Sequence, residues 1–322
     1  MKNISLEELL EAGCHFGHQV TRQNPKARDY IFESRDNIHI IDLEKTKEGL
    51  EEAAAFVKTV AFKDASTMVI LGAKRQAQDI VKSEAQRAKS DGTEGIYTVT
   101  NRWIGGTFTN FAEVAKNFKR LEEIDKLFAN EYEKEKFTKK ELLLMEREKQ
   151  KLMQFYSGIM GMVKIPDVLF IIDTHLEYLA VREAIAMGVK VVGITDTNAD
   201  PTIIDYAIPA NDDAVGSIML ITSYIVDAWI EGKKQLAKSL AQSAETAKSE
   251  ESKENLLRGA AKDLEKTEGA KEKIEAAPVV KPAYKQSAAG RAKDKAKAEA
   301  AKKKETNGTP LRSSSSAGQA KE

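Results

Sequence analysis

Short apolar, β-branched runs recur along the middle of the chain, and each is followed by a window of helical periodicity. The runs are Thr67-Met-Val-Ile-Leu-Gly72, Gly95-Ile-Tyr-Thr-Val99, Pro166-Asp-Val-Leu-Phe-Ile-Ile-Asp173, Val189-Lys-Val-Val-Gly-Ile194 and Tyr206-Ala-Ile208. Runs this short and continuously apolar suit strands buried on both faces. The intervening windows space their apolar residues by three and four, as in Ala77, Ile80, Val81 and Ala88. A last window, Asp213 to Glu231, carries Val215, Ile218, Met219, Thr222, Ile225, Val226 and Trp229. Strands alternating with helices build a parallel sheet covered on both faces. The expected fold class is therefore α/β, with a parallel sheet of about five strands and flanking helices. Upstream, Ser5 and Glu8 have capping-box spacing before a short helix that ends at Gly13. Cys14 to Asp29 reads as irregular, Ile38-His-Ile-Ile-Asp42 as a further strand, and Leu43 to Phe62 as a helix.

The alternation stops at Asn101-Arg-Trp-Ile-Gly-Gly-Thr-Phe-Thr-Asn110. Gly105-Gly106 breaks the backbone there, and Thr109 or Asn110 can cap the next helix. Asn110–Asn130 then places Phe111, Val114, Phe118, Leu121, Ile124 and Phe128 on one helical stripe. A turn near Tyr132–Phe137 precedes a second helix, Thr138–Tyr156. A narrow apolar seam with charged outer faces predicts a protruding helical hairpin, 110–157, inserted into a discontinuous body of residues 1–109 and 158–232. Beyond Gly232 the composition turns to Ala, Lys, Glu, Ser and Gln. Residues 233–322 form a low-complexity tail, with transient helix to about Glu275 and disorder from Pro278, because so little apolar surface cannot offset ordering entropy.

Formal net charge is zero, but its distribution is uneven. Residues 281–322 hold eleven Lys/Arg against four Asp/Glu, leaving an excess of seven negative charges on residues 1–280. Any nucleic-acid binding by the body must come from local basic patches. One cysteine, Cys14, excludes an intrachain disulfide and a cysteine-rich metal site. No apolar run reaches the roughly 18 residues of a membrane span, and the acidic amphipathic start is unlike a secretory signal. A cytoplasmic location with no membrane partner is expected.

Binding sites of such folds open at the carboxyl ends of the strands. Leu71-Gly-Ala-Lys-Arg75 lies there, and a glycine before Lys-Arg at a helix start suits a phosphate. It lacks the spacing of a P-loop and of the dinucleotide fingerprint. Asp173 and Asp196 end two later strands and suit acid–base work or Mg²⁺, although Asp at such positions is more often a turn or cap residue. His18 and Asp205 are further candidate ligands. His15-Phe-Gly-His18 lacks the Glu of a metalloprotease motif. Cys14 beside His15 has no identifiable acid to complete a nucleophilic site. Arg22, Lys26, Arg28 and Arg35, with Tyr30 and Phe32, join Lys74, Arg75 and Arg102-Trp103 in a mixture of cations and rings used on structured RNA. Phe32 and Trp103 are expected to be largely packed.

Several of these stretches are long and unusual. Glu11-Ala-Gly-Cys-His-Phe-Gly-His18, Asn24-Pro-Lys26, Ile38-His-Ile-Ile-Asp-Leu-Glu-Lys-Thr46, Gly72-Ala-Lys-Arg75, Asn101-Arg-Trp-Ile-Gly-Gly106, Pro166-Asp167 with Asp173, and Thr195-Asp-Thr-Asn-Ala-Asp-Pro201 with Ile208-Pro-Ala-Asn-Asp-Asp213 resemble bacterial small-ribosomal-subunit protein two. The resemblance runs in order from about residue 5 to 232, and the longer tail departs from it. It implies a flavodoxin-like sheet interrupted by a helical hairpin, and a structural protein rather than an enzyme. It further implies binding to small-subunit rRNA and to neighbouring ribosomal proteins, including the large mRNA-binding protein one, in support of subunit assembly and translation. The expected RNA contacts are Arg22, Asn24, Lys26, Arg28, Lys74, Arg75 and Arg102. No catalytic residue, cofactor, metal or DNA partner is expected, while His18, Asp196 and Asp205 stay open as a metal set. The rival reading is an α/β enzyme that binds a phosphorylated small molecule at the strand ends through Asp173 and Asp196.

Overall fold

The computed structural model describes residues 4–272, with side chains described through residue 243. Five strands form a parallel sheet: β4 (Met68–Leu71), β5 (Ile96–Val99), β6 (Val168–Ile171), β7 (Lys190–Thr195) and β8 (Tyr206–Pro209). Their spatial order is β5-β4-β6-β7-β8, so the chain winds outward from β4 in both directions. That flavodoxin-like order opens a crevice between the carboxyl ends of β4 and β6. Every residue of β4 and β6 is buried, as their continuous apolar runs predict.

Side-chain alternation divides the core into two layers. Met68, Ile70, Val168 and Phe170 face one layer, against Leu50 and Val57 of α2 (Leu43–Ala61), Val81 of α3 (Arg75–Ser90), and Ile225 and Trp229 of α8 (Val215–Glu272). Val69, Leu71, Leu169 and Ile171 face the other. There they meet Trp103, Phe108 and, from α7 (Tyr178–Met187), Ala180 and Val181.

Between β5 and β6 run α4 (Phe111–Ala129), the short α5 (Glu131–Lys134) and α6 (Lys139–Tyr156). Leu121 and Ile124 are buried on the predicted stripe. Ion pairs from Arg120 to Glu148 at 3.0 Å and from Lys149 to Asp125 at 2.6 Å join α4 to α6. A capping box between Thr138 and Glu141 starts α6.

Three expectations change. The segment read as irregular contains β1 (Phe16–Gln19), which pairs with β3 (Ile38–Ile41) and through it with β2 (Ile31–Arg35) in a separate antiparallel sheet. Asp36 and Asn37 turn β2 into β3 with φ of 52° and 64°, values that Asp and Asn tolerate. Phe32 stands 72 % exposed on this small sheet instead of packing. The helix expected to stop at Glu231 continues through Gly232 to Glu272. Gly232 is a crossing contact: a Cβ there would lie 2.5 Å from the Lys58 carbonyl oxygen of α2. Val215–Ser243 also has the length and apolarity of a membrane span, which no single apolar run in the sequence reveals; Ile218, Ile221, Ile225 and Trp229 are buried in the core. The described residues divide into two units after Glu254. The disorder expected from Pro278 lies outside the described residues.

Candidate nucleic-acid interface

The carboxyl ends of β4 and β6 bring together groups far apart in sequence. Lys74 leads into α3, and its ammonium lies 2.8 Å from Asp173, 2.8 Å from Asp212 and 2.7 Å from Asp213. Burial alone would lower its pKa, but these carboxylates outweigh that and raise it above the ordinary lysine value. Negative charge is in excess here, and Asp212 lies deepest. Burial, with Asp173 and Asp196 adding repulsion, pushes its carboxyl up to about 7. Asp173 also accepts the His175 and Leu176 N–H groups at 2.9 and 2.8 Å, which fixes the turn after β6.

The antiparallel sheet docks on this cluster through His18. Its N–H donates to Asp196 Oδ1 at 3.2 Å and to Thr197 Oγ1 at 3.0 Å. Its ring Nδ1 lies 3.0 Å from Asp196 Oδ2, and Nε2 lies 3.7 Å from Asp213. The hydrogen bond to Asp196 raises the His18 pKa, against the opposing effect of burial. His18, Asp196 and Asp212 each offer one ligand atom within 4.8 Å of the others, a nitrogen and two oxygens of the kind divalent cations accept. Asp205 does not join them: it bonds the Val191 N–H at 3.0 Å and pairs with Lys190 at 2.6 Å. The open metal set is corrected accordingly, because Asp205 precedes β8 at its amino end. Cys14 is buried, and burial pushes its thiol pKa up.

The expected RNA contacts divide into three groups. Arg22, Arg28, Arg75 and Arg102 are exposed and form no ion pair among the described residues. Lys26 is exposed but pairs with Asp200 at 2.6 Å, and Asn24 caps its own turn by accepting the Lys26 N–H at 3.1 Å. Lys74 is enclosed by carboxylates. Arg22 lies close enough to Asp213 to lower the acid's pKa, alongside Lys74 and His18, so the basic loop and the strand ends share one surface. Trp103 is packed, as expected, at 4 % exposure.

Beside the Lys74 cluster lies a cleft of about 650 Å³ between the loop after β4, the 101–105 segment and the start of α7. Glu177 lines it and is only 8 % exposed. Burial, then repulsion from Asp173, raises its pKa to about 7, with Arg102 opposing. Nothing in the sequence marked Glu177. Nor did anything mark Glu183, whose buried carboxylate accepts the Gly106 N–H at 2.7 Å and the Phe108 N–H at 3.0 Å. Both are ordinary acidic positions in a helical window until tertiary structure encloses them.

Residues 9–232, which contain the strand-end cluster, the basic loop and the cleft, match the family model described as ribosomal protein S2. The chain belongs to the ribosomal protein S2 family. It is 49 % identical over 232 residues to the small ribosomal subunit protein uS2 of Geotalea uraniireducens (strain Rf4), covering 72 % of this chain and 88 % of that protein. It is 43 % identical over 251 residues to the protein of the same name from Koribacter versatilis (strain Ellin345), covering 78 % and 81 %. Membership makes the chain a small-subunit ribosomal protein, a component of a ribonucleoprotein that acts in translation. On this surface Asp173, Asp196 and Asp212 are all engaged with Lys74 or His18, whereas Arg22, Arg28, Arg75 and Arg102 form no ion pair among the described residues.

Proposed function

We propose that this protein binds small-subunit rRNA and neighbouring ribosomal proteins as a structural constituent, in the ribosome of the cytoplasm, and catalyses no reaction. The observation that carries the reading is the set of exposed arginines without ion pairs, Arg22, Arg28, Arg75 and Arg102, around the strand ends of a body whose net charge is negative. Each neutralises a phosphate and releases condensed counterions. Asn24 and Lys26 add contacts at the turn they shape, with Lys26 exchanging Asp200 for phosphate. Lys74 takes part from within, by neutralising the carboxylates that would otherwise repel RNA from Arg75. Among the protein neighbours we place the large mRNA-binding protein one of the small subunit. The body (1–109 and 158–232) carries the RNA surface, the hairpin 110–157 extends it, and the tail 233–322 adds basic charge at its end.

Replacing Arg22, Arg28 and Arg75 together by Glu tests the reading. Subunit occupancy, measured by quantitative mass spectrometry, is expected to fall at least tenfold; normal occupancy of a folded variant overturns it. Against the enzyme reading, Asp173 is held by Lys74 and two backbone N–H groups, and Asp196 by His18 and Thr197.

A further inference from the structure

The cleft beside the Lys74 cluster holds a side chain that the fold leaves unmatched. Glu177 is nine-tenths buried and lines the cleft, and its carboxylate forms no hydrogen bond or ion pair with the described residues. Arg102, exposed and likewise unpaired, lines the same cleft, close enough for its charge to act on Glu177. Ile104, Phe155 and Leu179 supply apolar walls. A concave site that sets convergent polar groups between apolar walls suits a flat ligand with a polar edge.

We propose that this cleft receives one unstacked guanine base of small-subunit rRNA, with Glu177 accepting its N1–H and N2–H and Arg102 donating to its O6. The proposal rests on the rRNA-binding reading and narrows it to a base. Sequence-specific contacts to RNA use unpaired bases read along their Watson–Crick edges. Two adjacent donors are needed to satisfy both oxygens of a carboxylate. Guanine alone has them, at N1 and N2. Adenine and cytosine set one donor beside an acceptor, which a carboxylate repels, and uracil sets one donor between two acceptors. The O6 of guanine then falls next to its donor pair, where a cation is required, and Arg102 lines the same cleft. An arginine from a neighbouring protein would also present two parallel donors, but its positive charge would oppose Arg102 and leave that residue without an acceptor.

Kethoxal reacts across guanine N1 and N2, the atoms assigned to Glu177. Small subunits carrying wild-type protein or Glu177→Gln are probed, with reactivity normalised to bound protein. The expected result is one guanine protected by the wild-type protein and exposed in the variant. Unchanged reactivity at every guanine overturns the base pocket while leaving rRNA binding in place. Loss of a protein neighbour with unchanged guanines gives the cleft to an arginine of that neighbour and equally overturns it. Failure of the wild-type chain to enter subunits overturns the rRNA reading itself. Should Glu177→Gln fail to fold, the intact wild-type chain is titrated with GMP and AMP under NMR. GMP is expected to bind on the order of tenfold tighter; no preference between the two, or no binding, overturns the proposal.

Discussion

Glu183 ties the 101–110 segment to α7. One carboxylate serves the backbone N–H groups of Gly106 and Phe108 and lies 3.4 Å from the Trp103 indole N–H. Removing it would orphan buried donors, the costly side of hydrogen-bond energetics. Glu183→Ala is expected to lose roughly 3 kcal/mol in urea unfolding, and Glu183→Gln less, since an amide oxygen still accepts. Glu177 has a pH signature. Its folded pKa of about 7 lies above the usual carboxylate value, so the folded state holds the proton more tightly. Its contribution is complete below the unfolded pKa, near 4.5, and is lost as pH rises toward 7. Stability should therefore fall between pH 5 and 8 by an amount on the order of 2 kcal/mol from this group. Asp212 and His18, also raised, act in the same direction. Urea melts at both pH values should show a smaller fall in Glu177→Gln than in the wild type.

At the level of elements, the hairpin is only partly its own unit. Val114, Phe118 and Tyr156 belong to the core layer of the sheet, whereas Leu121 and Ile124 lie farther along the stripe and outside that layer. Excising residues 122–150 with a short linker is expected to leave the melting temperature within a few degrees. Excising 112–155 removes Val114 and Phe118 from the core and should lower it by about 10 °C or more. The return to the sheet depends on Gly158. Its carbonyl accepts the Thr98 N–H at 2.9 Å along edge strand β5, and a Cβ there would sit 2.0 Å from the Thr98 carbonyl oxygen. Gly158→Ala should cost about 2–4 kcal/mol, read from the shift in denaturation midpoint.

Across the whole molecule, formal charges cancel while their placement does not. Residues 1–280 are net negative, so the proposed binding to rRNA rests on arginines that local carboxylates leave free. Affinity should therefore depend steeply on salt. Each Arg→Gln substitution at Arg22, Arg28 or Arg75 is expected to reduce the slope of log K against log salt by roughly 0.9. Filter binding over 50–200 mM salt measures it; an unchanged slope would remove that residue from the contact set.

The parallel sheet was legible because its strands are buried on both faces. That burial writes continuous apolar runs such as Val168–Ile171 into the chain, separated by helices with a clear stripe. The hairpin was legible for the same reason, from the spacing of Phe118, Leu121 and Ile124. The antiparallel sheet was not: Phe16-Gly-His-Gln19 is half exposed and carries no periodic signal. Gly232 looked like a helix end because its close approach to α2 comes from a segment distant in sequence. The motifs identified the basic residues, but sequence does not encode which cations will be neutralised. Lys74 is enclosed by Asp173, Asp212 and Asp213 only once β4, β6 and the loop after β8 lie side by side. Patterns of burial are local and sequence determines them; the pairing of charges across strand ends is long-range, and only the tertiary structure decides it.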